Sequence, residues 1–149
     1  MCRGVLVFCL AASLPLFSSP AAPGEPSPVS ARPIVLNPGD PAQTVVGKLQ
    51  YLGGLEIGSS EARFGGLSAL WVSPDGERLV ALSDHGHWFR ARLVYDEDGR
   101  LADVVDGEIG ALVDPHGRPL DRQHGDAESL ARMPDGAFIV AFERVHRLW

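Results

Sequence analysis

An all-β fold is predicted for this 149-residue chain by three features of its sequence. Glycine (17) and proline (12) together make up roughly a fifth of the chain, above the usual level of about 12%. Such dense backbone punctuation favours many short elements joined by turns over a helical bundle. Apolar runs of strand length recur between turn signals, and one hairpin pattern returns after sixty residues. The 45% hydrophobic content suits a packed globular chain. Thirteen basic against nineteen acidic residues leave a formal charge of −6, with no basic stripe, which argues against a nucleic-acid surface.

Taken in chain order, residues 1–21 read as a secretory signal peptide. Arg3 supplies the positive start, Val5–Phe17 the apolar stretch, and Ser19-Pro20-Ala21 the small residues of a cleavage site. Val29-Ser30-Ala31 is a second, more distant cleavage candidate. The expected location is periplasmic or secreted, with no membrane association after cleavage. Both cysteines, Cys2 and Cys9, fall inside this segment, so a mature chain cut after Ala21 contains no disulfide. Phe8 is too bulky for a lipoprotein signal centred on Cys9. Residues 22–44 carry six prolines and few large apolar side chains, and are expected to form an extended, loosely packed leader.

Residues 45–149 hold the repeat. Leu67–Phe89 aligns without gaps on Ala127–Trp149, so that Leu70 matches Leu130 and Pro74-Asp75-Gly76 matches Pro134-Asp135-Gly136. In each copy proline presets φ, aspartate bonds the backbone and glycine takes a positive φ, which makes a hairpin turn. The predicted strands are Leu67–Ser73 and Arg78–Ser83 in the first copy, Glu128–Met133 and Phe138–Phe142 in the second. Between them lie Phe89–Tyr95, a turn at Asp96-Glu97-Asp98-Gly99, and a strand from Leu101 to about Ile109. A connection over residues 110–125 follows.

Four short antiparallel strands per repeat is the composition of a β-propeller blade. The chain is therefore read as a partial β-propeller of about one and a half four-stranded antiparallel blades. An eight-stranded sandwich is the alternative. The second blade stops at Trp149, so the chain is expected to be the N-terminal part of a longer protein, truncated and inactive by itself. The upstream strand Lys48–Ile57 has no evident hairpin partner, and Trp71, Trp88 and Phe89 are expected to pack between blades.

GGLEI at 53–57, RFGGLSAL at 63–70, SDHGHWFRARL at 83–93, HGDAESL at 124–130 and FERVHRLW at 142–149 resemble the phytase-like domain family, the "esterase-like activity of phytase" group. The resemblance spans about residues 45–149 in order. It implies an exported β-propeller about twice this length, acting as a calcium-associated phosphoesterase or esterase. His85 and His87 depart from the arginine or other polar residue more usual there, which weakens any phosphate-contacting role at those positions.

Carboxylates offer the strongest candidate chemistry. In a propeller the inner strand ends converge on one channel mouth. Asp126 and Glu128 flank the start of the second copy's first strand, two residues apart and therefore on one face. Asp84 and Glu143 end the second strands of the two copies, and Glu56 ends the N-terminal strand. Asp84, Asp126, Glu128 and Glu143 are the candidate ligands for Ca²⁺, which takes six to eight oxygens in irregular geometry. Structural pairing with Arg90, Arg144 or Arg147 is the competing reading of these acids.

Arg63, Arg90, Arg92, Arg144 and Arg147 are candidates for clamping phosphate, since guanidinium matches its oxygens in bidentate fashion. Arg144 beside Glu143 is the best placed, and these two are the candidate catalytic residues. Ser68 lacks a G-x-S-x-G context and reads as a strand residue. His85 and His87 lack a third ligand nearby, and Asp96–Gly99 reads as a hairpin turn rather than a calcium loop. The leading expectation is a metal-assisted hydrolase of small-molecule phosphoesters. The alternatives are a non-catalytic periplasmic propeller that binds a ligand or partner, and a lactonase-type hydrolase with one metal and no phosphate clamp.

Overall fold

The computed structural model describes residues 22–149, so the stretch read as a signal peptide and both cysteines lie outside the described residues. Within them the chain is all-β, with antiparallel pairing throughout, no helix and no closed barrel. No helix there is long and apolar enough to cross a membrane.

The central feature is a four-stranded meander of β6 (Leu67–Val72), β7 (Arg78–Ser83), β8 (His87–Tyr95) and β9 (Leu101–Ala111). The sequence-predicted strands agree with these to within two residues. A three-stranded sheet follows, made of β10 (Ala127–Arg132), β11 (Phe138–Phe142) and β12 (Arg147–Leu148). The first strands of the two units lie side by side, joined by the Ser68 hydroxyl donating to the Ala127 carbonyl.

Local chemistry dictates the turns. Asp75 accepts the Glu77 amide at 3.0 Å and Asp135 accepts the Ala137 amide at 3.0 Å. Gly76 (φ +77°) and Gly136 (φ +91°) take the left-handed position that closes each hairpin. The two turns nevertheless differ by one residue. The Ser73 amide donates to the carbonyl of Arg78, five residues on, whereas the Met133 amide donates to that of Ala137, four residues on. The register therefore pairs Val72 with Leu79 but Arg132 with Phe138. The gapless offset of sixty holds before the turn and becomes fifty-nine after it. Asp96 and Asp114 build similar turns, each carboxylate accepting amides two and four residues on. The Asp96–Gly99 segment is thus a hairpin turn, with its leading carboxylate already engaged by backbone.

The proline-rich stretch does more than its composition suggested. Instead of a loose leader it contributes β1 (Glu25–Pro26), paired with β9, and β2 (Ser30–Pro33), paired with β5 (Leu55–Gly58). A short hairpin, β3 (Val45–Val46) with β4 (Leu49–Gln50), lies between them. The predicted strand Lys48–Ile57 is instead split in two: Leu49–Gln50 pairs with β3, and Leu55–Gly58 finds its partner in the leader. Proline is tolerated here because β1 and β2 are sheet edges, where a missing N–H breaks no ladder.

Strand alternation then sorts the core into two. Leu79, Ala81, Phe89, Ala91, Leu93 and Val104 face β2 and β5, where Val29, Ala31, Leu55, Ile57 and Phe64 cover them. Phe89 is 1% exposed and meets Phe64 edge to face at 5.0 Å. On the other side Leu82 packs with Ala127 and Phe142, flanked by Trp88 and Val140. Trp71 meets Phe138 edge to face at 5.3 Å between the two sheets. Trp71 and Trp88 thus serve the contact between the two units as expected, while Phe89 faces the N-terminal strands instead.

Candidate metal centre

The carboxylates come together where β6, β7, β10 and β11 reach the same end of the molecule. Two equivalent hydrogen bonds place the strand-ending acids. The Asp84 amide donates to the Gly66 carbonyl at 2.9 Å, and the Glu143 amide to the Asp126 carbonyl at 2.9 Å. Asp84 and Glu143 are therefore true structural counterparts, which the gapless alignment concealed by setting Asp84 against Arg144.

A bulge aims the third acid. The β10–β11 register slips between Ala127 and Ser129, leaving Glu128 as the extra residue, and the β6–β7 register slips at the equivalent Ser68. Bulges of this kind re-aim side chains and recur beside active sites. Asp126 is only 6% exposed, while Glu128 and Glu143 are exposed. One carboxylate oxygen from each of Asp126, Glu128 and Glu143 lies within 4.8 Å of the other two. That is the spacing a calcium ion requires, because two oxygens each 2.3–2.6 Å from one ion are at most about 5 Å apart.

Asp84 stands beside this trio without belonging to it. Partial loss of surrounding water, followed by the charges of Glu143, Asp126 and then Asp84, pushes the Glu128 carboxyl above its ordinary value of 4.5. The Asp84 Oδ1 is buried without a hydrogen-bond donor, and His85 Nε2 lies 3.5 Å from it. Gly66, with φ +59°, makes room for this carboxylate: a β-carbon there would fall 2.0 Å from Asp84 Oδ1. Gly66 is the residue that sequence reasoning missed. Its signal was the Gly65-Gly66 pair just before a strand, which marks close backbone approach.

Among the described residues Arg144 is the one arginine paired with this cluster, its Nε donating to Asp126 Oδ2 at 2.5 Å. The other candidate clamps are held elsewhere. Arg63 bridges Glu61 and Glu25, and its hydrogen bonds draw the Glu61 carboxyl down to about 2. Arg90 pairs with Glu108 and Arg92 with Asp106. Arg147 stacks on Phe142 and Trp149 and donates to the carbonyls of Val145 and His124. Glu56 is bound to Arg32 on the β2–β5 pair, away from the cluster. His85 and His87 join no three-ligand group among the described residues.

A family model described as "esterase-like activity of phytase" matches residues 62–149. The chain belongs to the phytase-like family. The matched region runs from just before β6 to the last residue, so Asp84, Asp126, Glu128, Glu143 and Arg144 all lie within the phytase-like segment. Comparison with the curated proteins and with the solved structures returned no match.

A pH prediction arises from Glu128. Because its folded carboxyl binds a proton more tightly than the unfolded one, stability falls as pH rises from the ordinary 4.5 through the raised value. Glu128→Gln is expected to remove that fall and to raise the melting temperature of the metal-free protein at neutral pH. Identical melting curves for variant and parent across pH 4–8 would contradict the crowding of these acids.

Proposed function

We propose that this phytase-like chain carries the calcium site of an exported β-propeller hydrolase acting on small-molecule phosphoesters. The observation that supports it is the convergence of Asp126, Glu128 and Glu143 within ligating distance, with Asp84 alongside. The donor set is entirely oxygen and mostly anionic, which suits a hard cation such as Ca²⁺ and not a metal seeking nitrogen or sulfur. The repulsion among Glu143, Asp126 and Asp84, which adds to desolvation in raising the Glu128 carboxyl, is what a bound cation would relieve. Asp126, Glu128 and Glu143 would hold the ion directly, with Asp84 reaching it from the neighbouring strand end. When bound, Ca²⁺ supplies neutralisation of substrate phosphate and a more acidic water.

The chain's own residues divide the remaining work. Asp126, buried and anchored by Arg144, forms the rigid floor of the site. Glu128 and Glu143 are exposed and free to close on a ligand. Arg144 uses only Nε on Asp126, so the other donors of this half-exposed guanidinium can orient a phosphate. In the propeller reading, β6–β9 form one blade and β10–β12 three strands of the next, and both contribute acids to one channel mouth.

A non-catalytic binding propeller is the second reading. The observation that favours it is the engagement of all five candidate arginines by groups of the protein itself. Calcium titration followed by thermal melting, and phosphomonoester turnover by a longer family member bearing the same acids, separate the readings. A calcium-dependent rise in midpoint with chelator-sensitive turnover supports the hydrolase. A calcium shift without turnover supports the binding propeller, and no shift at millimolar calcium removes the metal site.

A further inference from the structure

A cleft of about 350 Å³ opens between the β6–β9 sheet and β11, on the face away from the N-terminal strands. Trp71 and Phe138 form its aromatic wall, and Arg78, Arg90, Arg92 and Arg132 line it. Three of these arginines share one sheet face by register: Arg78 sits directly opposite Arg92, and Val80 opposite Arg90. Like charges set opposite each other across a ladder are unfavourable unless something anionic joins them.

The carboxylates present do not balance the arginines. Glu108 takes Arg90 at 2.6 Å and Asp106 takes Arg92 at 3.0 Å. Asp106 does so from a left-handed backbone (φ 56°), at a bulge in β9 between the partners of Arg90 and Arg92. Arg78 has only Asp75, 3.7 Å away. Arg132 comes from the opposite sheet and has no carboxylate partner among the described residues. Its guanidinium stands 4.9 Å from the Trp71 ring centre and 5.2 Å from that of Phe138. The aromatic rings thus hold one cation upright across the cleft from two others, with positive charge in excess on a chain whose net charge is −6.

We propose that this cleft binds a tetrahedral oxyanion, the phosphate or sulfate group of a small ligand, gripped by Arg78 from one sheet and Arg132 from the other, with the donors that Arg92 does not spend on Asp106 completing the grip. Arg78 lies six residues from Asp84 along β7 and Arg132 four from Glu128 along β10, so the cleft lies about 13–20 Å along the strands from the carboxylate cluster. It is a separate site and does not depend on calcium binding.

The test uses the full chain in chelator, so that the acidic cluster plays no part. Inorganic phosphate, sulfate and chloride are titrated at matched ionic strength, with thermal melting and phosphorus-31 line width as readouts. Phosphate is expected to raise the midpoint and broaden its own resonance beyond the chloride control. Arg132→Gln is expected to weaken this about tenfold, the low end of what a hydrogen bond to a charged group contributes. Arg78→Gln, at an exposed position, gives a second variant should Arg132→Gln fail to fold in chloride. Glu56→Gln, at a carboxylate paired with Arg32 on another sheet, leaves the effect intact. An equal sulfate response assigns the site to either dianion, and a weaker one to phosphate. No effect beyond chloride, or an undiminished effect in both arginine variants, overturns the proposal.

Discussion

Replacing Asp126 with alanine is expected to abolish the calcium-dependent rise in melting temperature. It should also destabilise the metal-free protein by about 1.5–3 kcal/mol, the worth of a hydrogen bond to a charged group. Asp126 is the buried member of the acidic trio, and its carboxylate holds Arg144 at 2.5 Å while its carbonyl accepts the Glu143 amide. Because the Arg144 side chain is 57% exposed, it rehydrates once released, which keeps the cost toward the lower end. Asp126→Asn separates the two effects. It can still accept from Arg144 and should keep most of the stability, but it removes one charge from the ligand set and should weaken calcium binding about tenfold or more. Glu56→Gln, at a carboxylate paired with Arg32 on another sheet, should leave the calcium response unchanged. A calcium shift that survives Asp126→Ala would show that the ion binds elsewhere.

Truncating Phe89 to alanine should cost about 3–5 kcal/mol, a large part of the 5–15 kcal/mol that holds a typical domain together. Phe89 is 1% exposed on β8, packed edge to face on Phe64 beneath the N-terminal strands. Urea denaturation of the two proteins measures the difference directly. A loss below about 1 kcal/mol would mean that β2 and β5 do not cover this face as described, because an uncovered phenylalanine has little burial to lose. The acidic cluster rests on the other core, around Leu82, Ala127 and Phe142. At temperatures where Phe89→Ala remains folded, its calcium response should therefore match that of the parent protein.

Most of the meander and of the β10–β11 hairpin was legible because each of these strands carries its own signals. Arg78–Ser83 and Phe138–Phe142 are short apolar runs bounded by Pro-Asp-Gly turns on one side, so period and turn chemistry agree. The N-terminal segment was not legible. Ser30–Pro33 is polar, proline-bearing and four residues long, and nothing local marks it as a strand. It becomes one by pairing with Leu55–Gly58 across more than twenty residues, and by laying Val29 and Ala31 on Phe89's face of the sheet. Long-range pairing of this kind is a tertiary choice that composition alone misreads as a loose leader.

The candidate site divides along the same line. Asp126, Glu128 and Glu143 stand out in the sequence as acids at strand ends, but period-two alternation was not the whole reason they meet. The bulge at Glu128 and the Glu143–Asp126 backbone bond set their directions. Asp84 could be matched to Glu143 by position along the strand, yet the one-residue difference between the two turns hides that match from any gapless alignment. The arginines were the least legible, because guanidinium chemistry is the same whether it meets a phosphate or a neighbouring carboxylate.

By itself, then, the sequence determined the all-β character, the hairpin turns, the repeated unit and the residue types available at the strand ends. Those follow from forces that act within a few residues: fixed φ at proline, local bonds to aspartate, and alternation along a strand. Only the tertiary structure decided which acids share one space, which arginines are already held, and that the proline-rich stretch closes one face of the core. Charges and edges distant in the chain take partners according to what folding brings within reach, and a carboxylate's proton affinity depends on the neighbours it finds there.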